Sequence, residues 1–301
     1  MNMQDKTRRT FVFTAWIGMI AVFVAVVLSY ARALSTEDVR DRNWFSFTLH
    51  DLVFIPFVPK KSLHADTTLA LQSGQSIFVD VEGIDVKIMS GPSGQVKVDW
   101  SLKGREKTLR DYRYHVSRDG DIVKITGEKD GAEWSKWGSF SGTVRITIPD
   151  TIDVTVNAIG GDIRLQKITG TIRLQSIGGD IEGSDISGSL KAETSGGDIS
   201  LRRADVSILE MLTSGGDISA SAISNSPSIT ARSIGGDIKL YLPDDVKADI
   251  DASTSGGDIR CYYKDEIEGT VEESFIKGTL NGGGNSINLR TSGGDILIAS
   301  K

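Results

Sequence analysis

Seven aspartates recur in one setting: the tetrapeptide Gly-Gly-Asp-Ile places carboxylates at Asp162, Asp180, Asp198, Asp217, Asp237, Asp258 and Asp295. Carboxylates at such regular spacing can do two kinds of chemistry. Stacked one per turn of a repeating structure, they would form a ladder able to hold Ca²⁺ between successive turns, as nonapeptide repeats do. In the second reading each carboxylate hydrogen-bonds the backbone N–H groups of its own turn. The preceding glycines (Gly160, Gly161, Gly178, Gly179, Gly196, Gly197, Gly215, Gly216, Gly235, Gly236, Gly256, Gly257, Gly293 and Gly294) would then supply φ > 0 at a tight corner. The calcium motif runs Gly-Gly-x-Gly-x-Asp, whereas here the third glycine is absent and Asp follows the pair directly. The residues therefore fit the turn reading better, and the calcium ladder stands as its alternative.

Other reactive constellations are sparse. The histidines His50, His64 and His115 share no motif with a nucleophile or a metal-ligand partner, so no catalytic residue and no cofactor is expected. Cys261 is the only cysteine, which rules out an intrachain disulfide; flanked by Ile259 and Tyr263 at strand spacing, it reads as a small buried hydrophobe. The longest insertion among the repeats carries Tyr262, Tyr263, Asp265, Glu266, Glu272 and Glu273, an acidic and partly aromatic segment. It is the candidate ligand patch, with a solvated loop as its plainer reading.

The elements that must position these residues follow from spacing. Successive repeat aspartates lie 18, 18, 19, 20, 21 and then 37 residues apart; the last interval reads as two units with a degenerate copy around Gly282, Gly283 and Gly284. Each unit divides again, since Gly161-Asp162-Ile163-Arg164-Leu165 is echoed by Gly170-Thr171-Ile172-Arg173-Leu174. Apolar residues alternate within each half, as in strands with one buried face. The expected fold is all-β: an elongated two-sheet β-solenoid of about 18 to 21 residues per coil, preceded by one transmembrane helix. A lone coil buries about four aliphatic side chains worth roughly 1.5–3 kcal/mol each, against roughly 1–2 kcal/mol of backbone ordering per residue, so coils must stack to fold. Between Thr67 and Ile148 alternation continues without the tetrapeptide, as irregular strands of the same architecture. Ile148-Pro149-Asp150 is echoed by Leu242-Pro243-Asp244.

Residues Phe11 to Leu28 are uncharged and follow Lys6, Arg8 and Arg9, which predicts a cytoplasmic tail over 1–10 and a transmembrane anchor over 11–30. A signal peptide ending near Ala31-Arg32-Ala33 is the rival reading. Residues 31–65, rich in Trp44, Phe45, Phe47, Phe54 and Phe57, are expected to cap the solenoid or rest at the membrane interface, and 66–301 to form an extracytoplasmic solenoid. Net charge is −6, and removing the basic first 33 residues leaves −9 on the remainder. Such acidity argues against nucleic acid or anionic headgroups as the main partner. The expected partners are the membrane, through the N-terminal helix, and a protein or envelope polymer. Self-association by end-to-end stacking is a further expectation, because the repeats run to Ser300 with no evident C-terminal cap.

The repeated Ser-Gly-Gly-Asp-Ile (Ser195 to Ile199, Ser214 to Ile218, Ser255 to Ile259, Ser292 to Ile296), the Ile148-Pro149-Asp150 lead-in and the strand Val79-Asp80-Val81-Glu82-Gly83 resemble a bacterial candidate-adhesin, toastrack-like family of β-repeat proteins. The resemblance covers roughly residues 66–301. It implies a repetitive β fold in the bacterial envelope, often membrane-associated, linked in some members to envelope stress, and it carries no catalytic residues. The expected function is a membrane-anchored, non-enzymatic interaction, adhesin-like or stress-sensing module. A β-helical carbohydrate-active enzyme is the alternative. An enzyme should gather several carboxylates and a basic residue in a groove; a scaffold should engage its aspartates in its own turns.

Overall fold

The computed structural model describes residues 60–72, 74–130, 140–221 and 228–301. The expected anchor at 11–30 and the aromatic segment up to residue 59 lie outside them. No helix among the described residues is long and apolar enough to cross a membrane.

Among the described residues twenty strands run in chain order: β1 (Lys61–Ala70), β2 (Ser76–Glu82), β3 (Asp85–Ser90), β4 (Gln95–Gly104), β5 (Tyr112–Asp119), β6 (Ile122–Lys129), β7 (Ser141–Ile148), β8 (Val154–Ile159), β9 (Ile163–Ser176), β10 (Ile181–Thr194), β11 (Ile199–Thr213), β12 (Ile218–Ser221), β13 (Ser228–Arg232), β14 (Ile238–Leu242), β15 (Ala248–Thr254), β16 (Ile259–Cys261), β17 (Ile267–Val271), β18 (Phe275–Leu280), β19 (Asn285–Thr291) and β20 (Ile296–Ser300). A short helix, α1 (Glu106–Arg110), links β4 to β5.

The long strands show how one coil is built. In β9 the alternating Ile163 and Leu165 point inward, the chain bends at Lys167, and Ile168, Ile172 and Leu174 point inward from the opposite side; all five are buried. The bend places a non-glycine residue in the left-handed region in three stacked coils, at Lys167 (φ 56°), Asp185 (φ 57°) and Arg203 (φ 52°). Such a conformation costs of order 1 kcal/mol or more, and here it persists because stacked neighbours on both sides impose it. Each strand half then pairs in parallel with the same half of the next coil: Ile163 with Ile181 and Ile181 with Ile199, Ile172 with Leu190 and Leu190 with Leu209. Two stacked faces result, with the aliphatic residues between them.

The first face runs β1, β4, β7, β3, the first halves of β9, β10 and β11, then β12, β14, β20 and β16. The second runs β5, β6, β2, β8, the second halves of β9, β10 and β11, then β13, β19, β15, β18 and β17.

This order corrects the expectation of coils stacked in chain sequence with a degenerate copy near Gly282. The last coil, β19 with β20, is wedged between the β13–β14 coil and the β15–β16 coil. The 37-residue interval is therefore a detour: the chain completes β15 and β16, doubles back through the antiparallel pair β17–β18, and turns through Asn281, Gly282 and Gly283, all at positive φ, into β19. The N-terminal end repeats the device, since β2 sits between β6 and β8 and β3 between β7 and β9. β20 is thus interior, and the coil that ends the stack, β15–β16, is covered on its second face by β18 and β17. Antiparallel strands close the N-terminal end on both faces and the C-terminal end on the second face, where a parallel ladder would otherwise present unpaired N–H and C=O groups.

Aromatic residues fill the N-terminal end. Trp100 and Tyr112 are buried, Trp100 meets the Tyr114 ring at 5.2 Å between centroids, and Tyr112 meets Phe140 at 5.0 Å. The Tyr112 hydroxyl donates to the Glu82 carbonyl at 3.3 Å, and burial raises its pKa. At the other end Tyr263 plays the corresponding part.

Candidate functional site: stacked corners and outer faces

At the corner between the two faces, the repeat aspartates form one unbroken chain of hydrogen bonds, though not to their own turns as expected. Oδ1 of each accepts the backbone N–H of the aspartate in the next coil: Asp162 from Asp180 at 3.1 Å, Asp180 from Asp198 at 2.9 Å, Asp198 from Asp217 at 2.8 Å, Asp217 from Asp237 at 2.8 Å, Asp237 from Asp295 at 2.9 Å and Asp295 from Asp258 at 2.9 Å. Asp85 adds an earlier rung, accepting from Asp162 at 3.3 Å, although no glycine pair precedes it. The carbonyl of each later aspartate in turn accepts the amide of the residue after the earlier one, as from Ile163 to Asp180 and from Ile181 to Asp198, both 2.8 Å. One carboxylate oxygen per coil is thus committed to backbone.

The second oxygen is left to solvent and to cations on the same face. Asp162 Oδ2 meets Arg164 at 3.1 Å, Asp237 Oδ2 meets Lys239 at 3.6 Å, and Asp295 Oδ2 lies 4.0 Å from Arg260. Among the described residues no group of three or more His, Cys, Asp or Glu is placed to hold a metal ion.

The glycine pairs earn their place by stacking, not by handedness. Of the repeat glycines only Gly160 has positive φ, at 79°. A Cβ at the second glycine of any pair would run into the backbone of the adjacent coil: at Gly179 into the Gly161 carbonyl, at Gly216 into that of Gly197, at Gly257 into that of Gly294. The first glycine has more room; a Cβ at Gly215 would come no nearer than 3.5 Å to its neighbours.

A second ladder, not anticipated from the motif, runs beside the first. In six of the seven Gly-Gly-Asp coils a buried hydroxyl donates to the second glycine's carbonyl in the adjacent coil and accepts the second glycine's N–H in its own. Thr194 donates to Gly179 at 2.9 Å and accepts from Gly197 at 3.3 Å; Thr213 donates to Gly197 at 2.9 Å and accepts from Gly216 at 3.2 Å. Ser176, Ser233, Thr254 and Thr291 repeat the pattern. The signal was present in the sequence as Ser or Thr three positions before the second glycine, with Ala158 the exception.

The acidic segment near the C-terminal end does not form one patch. Tyr263 is buried, and its hydroxyl donates to the Leu242 carbonyl at 3.0 Å, while burial raises its pKa. Cys261 packs partly against the core, where burial raises its thiol pKa. Tyr262 is 74% exposed, Asp265 and Glu266 occupy a short 3₁₀ turn, and Glu272 and Glu273 join β17 to β18. Glu273 has a structural role: its carbonyl accepts the Ile259 amide at 2.6 Å, as the next coil's aspartate does elsewhere.

Among the described residues, depressions mark the outer faces. One of about 510 Å³ on the first face gathers His64, Asp66, Lys87, Lys97, Asp99 and Arg145. Asp66 and Asp99 are register neighbours there, and Lys97 holds Asp99 at 3.1 Å. A second, of about 300 Å³, lies farther along the same face over Arg164, Glu182 and Arg202. The third, of about 460 Å³, lies on the second face where it meets the glycine corner, over Glu193, Arg232 and Arg290. His115 is remote from all three, on β5.

The Toastrack DUF4097 family model matches residues 74–201 and again residues 187–299. No curated protein matches the chain. Solved structures that resemble it include a candidate cell adhesion protein from Clostridium sporogenes, at 13% identity over 80% of this chain and 100% of that one, with a TM-score of 0.40. A candidate adhesin from Bacteroides fragilis is 12% identical over 81% and 99% of the two chains, TM-score 0.38, and another from Parabacteroides distasonis 10% identical over 79% and 97%, TM-score 0.38.

Proposed function

Because the chain belongs to the Toastrack DUF4097 family, we propose that it is a non-enzymatic, membrane-anchored module of the bacterial envelope that binds through the outer faces of its solenoid. One observation carries the reading. The residues that give the repeat its chemical character, Asp, Ser or Thr and Gly, are occupied with one another across coils, as in the Asp180, Thr194 and Gly197 contacts. What remains for a partner is a pair of long polar faces lined by stacked side chains, the kind of extended surface that solenoids use for binding. The N-terminal apolar run preceded by Lys6, Arg8 and Arg9 supports a single span with the solenoid outside the cytoplasm.

Asp66 and Asp99 are the pair most able to support an enzymatic reading, so the test is built on them. The full chain, incubated with acidic and neutral polysaccharides, is expected to release neither reducing ends nor unsaturated products. Turnover that disappears in Asp66→Asn or Asp99→Asn would overturn the non-enzymatic assignment. The topology is tested by protease treatment of intact spheroplasts, which should degrade the solenoid; protection until lysis would contradict it.

A further inference from the structure

We propose that the depression at the glycine corner of the β10, β11, β13 and β19 coils is a binding site for a carboxylate-bearing saccharide, with Arg232 and Arg290 as its anion receptor. This deepens the interaction-module reading above and rests on it.

The floor of the site is set by register. Leu212 on β11 pairs with Arg232 on β13, and Arg232 pairs with Arg290 on β19. The two arginine Cα atoms therefore sit on neighbouring strands, roughly 4.8 Å apart. Like charges directly opposite each other oppose sheet formation. Arg290 is relieved on its far side by Asp251 at 3.6 Å. On the other side the acids are Glu210 on β11 and Glu193 on β10, and Lys191 holds both, at 3.5 Å and 2.8 Å. Among the described residues Arg232 has no ion-pair partner, so its guanidinium can receive an external anion through two parallel N–H donors.

The walls come from the position before each glycine pair. In stacking order this row reads Ile177, Ser195, Ser214, Ile234 and Ser292. Ile234, 62% exposed, stands as an apolar post at one side of a notch where two serines replace it, while Ile177, 56% exposed, lies one coil beyond and outside the lining. The exposed hydroxyls of Ser195 and Ser214 and the Gln175 amide line that notch. A sugar acid presents the matching groups: a carboxylate for the arginines, hydroxyls for the serines and amide, and C–H surface for Ile234. The volume of about 460 Å³ falls within the roughly 300–1,000 Å³ usual for ligand sites.

Two other occupants fit less well. A peptide that binds by strand addition needs a free sheet edge, but this floor is interior, its backbone groups already paired in the β11–β13 and β13–β19 ladders; an acidic side chain laid over the arginines would offer them a carboxylate but no row of hydroxyls for Gln175, Ser195 and Ser214. Nucleic acid needs many cations to displace its counterions, and the charged groups here are two arginines and one glutamate on a chain of net charge −6.

The experiment is calorimetric titration of the full chain with four probes: polygalacturonate, a short oligogalacturonate, neutral dextran and poly-L-glutamate. Saturable binding of both galacturonates is expected, weakened by salt, with at least a tenfold loss in Arg232→Glu and a comparable loss in Ser214→Leu, which fills the notch. Lys103→Glu, an exposed charge reversal on β4 of the opposite face, should bind as the unaltered chain does. The site assignment is overturned by absent galacturonate binding, by undiminished binding in Arg232→Glu, or by equal binding of poly-L-glutamate. Equal binding of dextran would overturn this site while leaving the interaction-module reading intact. That reading fails separately, on product release.

Discussion

The middle of this solenoid and its two ends solve the same problem with different chemistry. From β8 to β14 each coil stacks on its predecessor in chain order, and one short motif serves every coil. At the ends the order is broken: β2–β3 and β19–β20 are inserted behind coils that lie elsewhere in the sequence, and antiparallel strands cover the outermost layer on the second face. A coil in the middle has neighbours above and below for every carboxylate, hydroxyl and glycine carbonyl. An end coil lacks one neighbour, so its unpaired groups are met by residues that need not repeat, such as the Glu273 carbonyl on the Ile259 amide. Repetition is therefore economical only where both sides are occupied.

The comparison can be broken first in the core. Leu209→Ala in the middle and Ile276→Ala in the C-terminal cover should each cost about 2–5 kcal/mol, since both side chains are buried. Hydrogen exchange should separate them: loss at Leu209 lowers protection through β10 and β11, while loss at Ile276 first opens β15, β17 and β18. Uniform loss of protection in both variants would mean that end and middle unfold as one unit.

Next comes the glycine pair. Gly216→Ala should fall at or beyond the upper end of the roughly 1–3 kcal/mol typical of overpacking, because its Cβ meets Gly197 backbone and the Asp198 carboxylate. Gly215→Ala should cost well under half as much. Equal melting temperatures for the two variants would contradict the close-stacking account.

Thr213→Val leaves the Gly197 carbonyl and the Gly216 amide without their buried partner and should cost about 1–3 kcal/mol. Thr213→Ser should recover most of it, as read by denaturant midpoint. Asp198→Ala removes the acceptor for the Asp217 amide, a loss of about 1 kcal/mol. Asp198→Asn keeps an oxygen there and should be milder.

The smallest effect concerns the opposite bend, where Arg203 holds Asp185 through two hydrogen bonds of 2.7 Å and lowers its carboxyl pKa. A lowered folded-state value means the contribution is present above the ordinary carboxylate range and lost as pH falls through the folded pKa. The pair is exposed, so Arg203→Leu should only slightly flatten the decline in melting temperature on the acid side; a steeper decline would contradict the pairing.

Much of the fold was legible because a two-residue period and a repeat of about 18 residues are one-dimensional signals. Ile163, Leu165, Ile172 and Leu174 announced their burial by alternation alone. The site was less legible. Arg232 and Arg290 are 58 positions apart in the chain, and only the wedged last coil makes them neighbours. The hydroxyl ladder was visible in letters, as Thr194 and Thr213 before their glycines, but its meaning depends on a carbonyl in another coil.

By itself, the amino-acid sequence determined that this chain is a β-repeat whose coils must stack, since no single coil buries enough apolar surface to offset the ordering of its backbone. It also determined which side chains face inward. Which coil lies on which was decided only in three dimensions. Every coil offers the same aspartate, glycine and hydroxyl to a neighbour, so these interactions are nearly blind to chain order. The detour through β17 and β18 covers the β15 edge and seats the last coil inside the stack, so that backbone groups of β15 that would face solvent are paired instead.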